Sequence, residues 1–361
     1  MEFQCMGRGL RMAGLLCLAT AMAAAQQYNM VQLGLNSGSV PGGLNNNGEV
    51  VGFDNLTSTA FLYSGGVVTP FGPSQMGGIA INDGEQIALN APTGHAYISG
   101  SFTIPQPFPL PPYVLPYFAD LGTLYSGGYA QGKAMNNSGT IVGESWSPTV
   151  TKHAFSWSFS TGVMTDLGTM GANSSARGIN NTGQIVGQGY TSAGYQRAFQ
   201  MVGGTMTDMD PANPAYDSYA SAINNAGQIV VVTNKAWHLV QISRNKLLWT
   251  AYRGPNWYTL LYNGNGTNVD VGNLGSTLGT YGQAMNNAGD VVGTAYIAAG
   301  NPHAFVRHGG VMLDLNSHVI NLPVGWMLEM ATNINDYGQI VCSVYRPGEF
   351  NTLVVLTPVP D

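Results

Sequence analysis

Three histidines, His95, His153 and His303, each open a His-Ala-aromatic triplet, and imidazoles repeated at one position invite a metal centre or a general base. The triplet recurs along the chain, so its copies can be compared with one another, and a residue with a fixed chemical duty should keep its type. It does not. The same position reads as Thr59, Arg197, Asn256 and Asn351 elsewhere, so the histidines are expected to be polar residues at the mouth of a strand. The alanine leaves room for close sheet packing and the aromatic fills the space between sheets. No metal ligand set and no cofactor is expected. No Asp-rich calcium loop, phosphate-cradling Gly-Lys-Ser/Thr motif or Ser-nucleophile elbow occurs either.

The carboxylates sort in the same way. Asp120, Asp166, Asp208, Asp270 and Asp314 share one strand position, and Glu49, Asp83, Glu85, Asp290 and Asp336 stand in or beside turns, so these read as structural. Asp54, Glu144, Asp210, Asp217, Glu329, Glu349 and Asp361 are scattered, most of them at connections between strands. A pair of them on one face would do hydrolytic work. No spacing fixes such a pair and no catalytic residue is assigned; Glu144, Asp54 and Glu349 are the acids to substitute first.

Recognition chemistry is better represented. Tyr129, Arg177, Tyr219 and Tyr281 fall in connections between repeats, with Tyr125, Asn173, Ser174 and Tyr216. An inserted stretch adds Trp237, Trp249, Tyr252, Arg253 and Trp257, with His238 and Arg244. Rigid aromatic area beside adaptable polar groups suits a recognition surface. The plainer alternative is that the insertion folds over the face or fills a channel mouth.

The elements that position these residues are built on GINNTGQIVG, residues 178–187, in which apolar β-formers flank an Asn/Gly cluster. That is the pattern of two antiparallel strands and a tight connection. Asn180 is expected to bond its own downstream backbone and Gly183 to supply the residue with φ > 0. Variants begin at Leu44, Ile81, Met135, Ile223, Met285 and Ile334, making seven copies at steps of 37 to 62 residues, the range of propellers and solenoids. The copy at Ile81 carries Glu85 where the others have Gly, and its turn is expected to shift to Asp83-Gly84.

A second hairpin follows each first one, clearest at His153–Trp157 and Val163–Gly168, which gives four strands per repeat. In the fifth repeat both Lys235-Ala236-Trp237 and the Asn256–Tyr262 stretch resemble the third strand. The latter is followed by a Gly-Asn turn and an Asp strand, so residues 232–255 become an insertion. Residues 101–116, rich in proline, form another, expected as an extended flap between the third and fourth strands of the second repeat. The last repeat ends after its third strand, while a lone strand, Tyr28 to Leu33, precedes the first. Each end lacks what the other has. The expectation is an all-β, seven-bladed β-propeller of four-stranded blades, the N-terminal strand completing the last blade. An open solenoid would leave the complementary ends unexplained.

Arg8 and Arg11 precede an apolar run from Met12 to Ala23, and Ala23-Ala24-Ala25 is a small-residue cleavage site, so residues 1–25 read as a signal peptide and 26–361 as one domain. The product is expected in the periplasm or outside the cell. Cys17 lacks the small preceding residue of a lipoprotein, and no later stretch is long and apolar enough to be a membrane helix. One cysteine, Cys342, remains after residue 25; it cannot form an internal disulfide and is expected to be buried and inert. Charged residues are 8% of the chain, against about 25% in ordinary domains. With a net charge of −6 and no basic cluster, nucleic acid is not an expected partner.

The His-Ala-Phe triplets, the Met-Thr-Asp-Leu-Gly strand and the Ile-Asn-Asn-x-Gly-Gln-Ile-Val-Gly hairpin, in fixed order, resemble the bacterial HAF family of extracellular repeat proteins. The resemblance covers nearly all of the chain after residue 25 and implies export and a repeat fold, with no established activity. Members often end in a Pro-Glu-Pro sorting tail, which Pro358-Val359-Pro360-Asp361 is not, so anchoring by that route is not expected. The function expected is a secreted, monomeric, non-catalytic binding or surface-interaction module, for glycan, protein or another extracellular polymer. An exported hydrolase or lyase on the same scaffold and an architectural envelope protein are the competing classes.

Overall fold

The computed structural model describes residues 26–35, 38–104, 113–149, 151–211, 216–243, 246–263, 268–347 and 352–360, with side chains except at 101–117 and 235–255. The expected signal peptide, Arg244, Glu349, Asn351 and Asp361 lie outside the described residues, as does the centre of the proline-rich insertion.

Seven four-stranded antiparallel sheets form a ring, a seven-bladed β-propeller. Strands run outward from the central channel in chain order. Blade I is Val40–Leu44, Val50–Asp54, Thr59–Ser64 and Val67–Phe71; blade II is Gly77–Ile81, Ile87–Asn90, Ala96–Ile104 and Tyr113–Asp120. Blade III is Ala130–Met135, Ile141–Trp146, Lys152–Ser158 and Val163–Gly168; blade IV is Gly171–Ile179, Ile185–Thr191, Gln196–Val202 and Thr205–Asp208. Blade V is Ser218–Ile223, Ile229–Ser243, Lys246–Tyr262 and Asn268–Asp270; blade VI is Gly275–Met285, Val291–Ile297, Pro302–His308 and Val311–Asp314. Blade VII is Met327–Ile334, Ile340–Tyr345 and Thr352–Pro358, completed by Tyr28–Gln32, whose Tyr28 stands opposite Pro358 and Gln32 opposite Val354.

The Ile-Val pair of the repeat is explained by alternation along the second strand, which puts successive side chains on opposite faces of a blade. In blade III, Ile141 packs with Ala88, Ala96 and Ile98 of blade II, while Val142 packs with Ala176 and Phe199 of blade IV. All seven blades repeat this arrangement. The core therefore lies between blades, and the second strand is apolar on both faces.

The repeat's final glycine has a partner. Gly52, Gly143, Gly187 and Gly293 stand directly opposite Phe61, Phe155, Phe199 and Phe305, and a Cβ on any of these glycines would overlap a carbonyl of the inner strand. Where the glycine is replaced the phenylalanine goes too: Leu89 faces Tyr97, Val231 faces Leu260 and Cys342 faces Val354. Cys342 is fully buried, and burial pushes its thiol pKa up, so it packs and does not react.

The same register corrects two positions of the triplet comparison. The residues equivalent to His153 are Tyr258 in blade V and Thr352 in blade VII, in place of Asn256 and Asn351, because Leu260 and Val354 occupy the phenylalanine position. The histidines pair with the aspartate of the fourth strand: His95 Nδ1 with Asp120 at 2.7 Å, His153 with Asp166 at 2.8 Å and His303 with Asp314 at 2.7 Å. Arg197 does the same with Asp208 at 3.1 Å. Each aspartate also accepts a backbone N–H two residues on, as does Asp270 from Gly272, so these carboxylates hold the turn leaving the blade.

Both insertions are extensions of paired strands. In blade II, Ser101–Ile104 pair with Tyr113–Pro116, and Pro116 is tolerated because the fourth strand is an outer edge. In blade V, Val232 and Thr233 still pair within the blade, so the insertion runs from Lys235 to Arg253 and not from 232 to 255. It is an antiparallel hairpin arm, Lys235 opposite Arg253 and Ser243 opposite Lys246.

Candidate functional site

The two faces of the ring carry different connections. Turns from first to second strand lie on one face, and connections from second to third strand and from blade to blade lie on the other.

On the first face each hairpin turn is built by its first Asn. Asn180 Oδ1 accepts the N–H of Thr182 and Gln184, and Gly183 has φ 83°, as expected for this turn. The turn at Ile81 does not shift as its sequence suggested. Glu85 N–H bonds Asn82 O at 3.1 Å, and Glu85 itself adopts φ 62° where the other six copies place glycine. The reason is visible between blades. The Nδ2 of Asn45, Asn82, Asn136, Asn180, Asn224, Asn286 and Asn335 each donates to the backbone carbonyl of the next in the series, and Asn335 returns to Asn45, at 2.9–3.3 Å. A second ring surrounds the mouth: the N–H of Asn46, Asp83, Asn137, Asn181, Asn225, Asn287 and Asp336 each donates to the side-chain Oδ1 of the next, at 2.8–3.2 Å. Two closed circles of hydrogen bonds fix every turn against both neighbours, and Glu85 is held in place by them.

Further along the channel every inner strand carries a β-bulge three residues before its first Asn. Each bulge adds one extra residue to the wall of the channel. These residues are Gly42, Ile79, Lys133, Arg177, Ser221, Gln283 and Thr332, and they line a cavity of about 350 Å³. Two neighbours, on blades III and IV, are cationic; the other five are neutral.

From that pair an arc of side chains runs out to the second face. Glu144 receives Lys152 Nζ at 2.8 Å, with Lys133 Nζ at 4.0 Å. Lys152 lies over the Tyr129 ring, 5.7 Å from its centroid, and Tyr129 leans on Trp146 at 6.1 Å. On the other side Arg177 donates to Gln188 Oε1 at 3.0 Å and lies over the Tyr219 ring at 4.9 Å. Tyr219 packs on Trp257, centroids 5.9 Å apart. Tyr281 completes the arc on blade VI, where a Cβ on Gly279 would sit between its ring and the Trp257 carbonyl.

The protonation states along the arc follow from its charges and burial. Burial works to raise the Glu144 pKa, but Lys152, Lys133 and Ser175 outweigh it and hold the carboxylate below its ordinary range. A carboxylate held ionised has no proton to give as a general acid. Burial pushes the phenols of Tyr129, Tyr219 and Tyr281 up, keeping them protonated. Asp54 is in another blade, where Ser39, Thr57 and the Leu56 N–H engage its carboxylate and lower its pKa against the effect of burial. Among the described residues no group of three or more His, Cys, Asp or Glu is placed to hold a metal ion, and no helix is long and apolar enough to cross a membrane.

Of the residues singled out by sequence, Arg177, Tyr219 and Trp257 come into contact, Tyr281 stands beside them, and Tyr129 lies across the Lys133–Glu144–Lys152 cluster. Trp237, Trp249, Tyr252 and Arg253 belong to the hairpin arm, their side chains outside the described residues; the arm's backbone leaves blade V on the same face. Lys133, Lys152 and Gln188 were missed. A reading of the bulge position alone across the seven repeats would have found Lys133 beside Arg177.

No protein-family model and no curated protein sequence matches the chain. Solved structures similar to it include TolB from Acinetobacter baumannii, at 12% identity and a TM-score of 0.40, over 74% of this chain and 60% of that one. Another is a puromycin-hydrolysing peptidase of Mycobacterium tuberculosis, at 13% identity and a TM-score of 0.41, over 89% of this chain and 52% of that one. The chain thus spans well under two thirds of either protein, and these likenesses bear on neither ligand nor chemistry.

Proposed function

We propose that this protein is an exported recognition module that binds an extracellular polymer, a glycan foremost, on the face where second strands lead to third and blade leads to blade. The observation that carries the reading is the continuous arc over blades III to VI, in which Tyr129, Tyr219 and Trp257 present ring area beside the polar groups of Lys152, Arg177 and Gln188. Flat apolar faces edged by hydrogen-bond donors suit sugar rings, whose C–H faces stack on aromatics while their hydroxyls bond to the rim. Arg8, Arg11 and the apolar run after them support export. The ionised state of Glu144 weighs against its acting as a general acid.

The test is retention of the purified chain on an array of glycans and cell-envelope polymers, beside Tyr219→Ala, Trp257→Ala and a deletion of residues 235–253. Specific retention that drops about tenfold or more in either aromatic variant is the expected result, a loss of about 1.4 kcal/mol per decade. No retention on any polymer, by native protein and variants alike, sinks the reading. Loss in the deletion alone would move the site onto the arm.

A further inference from the structure

We infer that the ligand is acidic: the channel mouth between blades III and IV is a carboxylate-binding subsite formed by Lys133 and Arg177, and it selects uronic-acid-bearing polysaccharide over neutral glycan. This rests on the glycan reading above and adds to it a charge, a position and an order of contacts.

The charges are unbalanced there. The whole chain has only 12 Lys and Arg and a net charge of −6. Yet Lys133 and Lys152 share a single carboxylate, Glu144, and Arg177 is a further positive charge near enough to act on Lys133. Glu144 spends its close contact on Lys152, at 2.8 Å, and is 4.0 Å from Lys133. Arg177 has only a neutral partner in the hydrogen bond from its Nε to Gln188, which leaves its terminal N–H groups for a bidentate acceptor. Three cations against one anion leave a positive excess, and two of the three, Lys133 and Arg177, line the cavity, where field lines concentrate.

The protonation of Lys133 agrees with this placement. Burial lowers its pKa, against the rise from nearby Glu144, and Arg177 and Lys152 add smaller contributions in the same downward direction. An incoming carboxylate reverses that balance. The bulge sets the aim: Lys133 and Arg177 are the extra residues of their strands, and both line the 350 Å³ cavity. Across the ring from blades III and IV the bulge residues are Gln283, Thr332 and Gly42, so the far wall carries no charge there. Tyr219 and Trp257 lie just outside Arg177, one residue spacing along a chain whose acid group is held inside. An acidic peptide would satisfy the cations but would leave the paired ring faces without flat partners.

The experiment is calorimetric titration of the full chain with a hexamer of galacturonic acid and with the same hexamer after reduction of its carboxyl groups. Native protein, Lys133→Met, Arg177→Gln, the double variant and Tyr219→Ala are compared, with poly-glutamate as a third ligand. The native chain is expected to prefer the acidic hexamer by about tenfold or more, since each hydrogen-bonded charge pair contributes to a tenfold step. Added salt should erode that preference. The double variant should bind both hexamers equally, and Tyr219→Ala should weaken both. Equal binding of the two hexamers by native protein, or an acidic preference that survives the double variant, overturns the inference while leaving the glycan site standing. Tighter binding of poly-glutamate than of the acidic hexamer overturns the polysaccharide assignment. Failure to bind any of the three overturns it as well, and the array above then decides whether the glycan reading falls with it. The reduced hexamer tests the native chain's preference without any variant, and the double variant counts only if it still binds the reduced hexamer as the native chain does.

Discussion

The two mouths of the channel are lined by the same seven inner strands, yet they are opposite in character. At one, seven Asn residues repeat without exception and close one circle of hydrogen bonds, and the Asn or Asp after each closes a second. At the other, the bulge position holds Gly, Ile, Lys, Arg, Ser, Gln and Thr. The first mouth joins blade to blade, and any departure there breaks a circle. The second has no such closed circle, so each blade is free to present a different group, and that freedom is what a recognition surface needs.

The comparison is broken most severely where the two mouths share a support. Gly143 stands opposite Gly132, next to the bulge that carries Lys133, and a Cβ there would overlap the Gln131 carbonyl. Gly143→Ala is therefore expected to destabilise by about 3 kcal/mol, as overpacking of a tight site does. It should also weaken glycan binding, because the displaced strand carries Lys133; unfolding curves and titration together would reveal whether stability and binding fall in step. Asn180→Ala separates the mouths. Asn180 is 3% exposed and its Nδ2 donates at 2.9 Å to the Asn224 carbonyl. Its loss should cost about 2 kcal/mol through unsatisfied buried partners, seen as a lower urea midpoint, with binding by the folded fraction unchanged. Altered affinity would show that the rings also shape the site. Glu85→Gly gives the smallest effect and the opposite sign. It relieves a left-handed residue with a Cβ and should stabilise by about 1 kcal/mol; an unchanged or lower midpoint would mean that the Glu85 side chain contributes what its backbone loses.

Much of the fold was legible because its signals are local. Asn180 and Gly183 announce a turn, Ile185 and Val186 a strand buried on both faces, and the unpaired Tyr28 strand a closure. The errors came where a distant contact decided. Asp83-Gly84 looks like a better turn than one ending at Glu85, but the ring bonds from Asn46 and to Asn137 fix the position of Asp83. Asn256 resembled the triplet's first residue because the long hairpin of blade V hides where the blade strand resumes, and only pairing with Val231 shows that Leu260 occupies the phenylalanine site. In the candidate site, Arg177, Tyr219 and Trp257 stood out by type. Lys133 did not, since its place as the extra residue of a bulge emerges only from the strand register. Lys152 did not, since its partner Glu144 is on the neighbouring strand and eight residues away in sequence.

The seam of the ring also dictates an order in time. Tyr28–Gln32 is the first strand to be made, and its sheet partner, Thr352–Pro358, is among the last. Tyr28 is held as well by the backbone of His318 and Ile320, likewise late in the chain. Contacts this far apart in sequence are the slow ones to form. The opening strand must therefore wait, unpaired, while six blades assemble, and a chain that stops short leaves an arc with a bare apolar flank on blade I. The ring is thus latched across the sequence: Tyr28–Gln32 gains its sheet partner only when Thr352–Pro358 has joined blade VII.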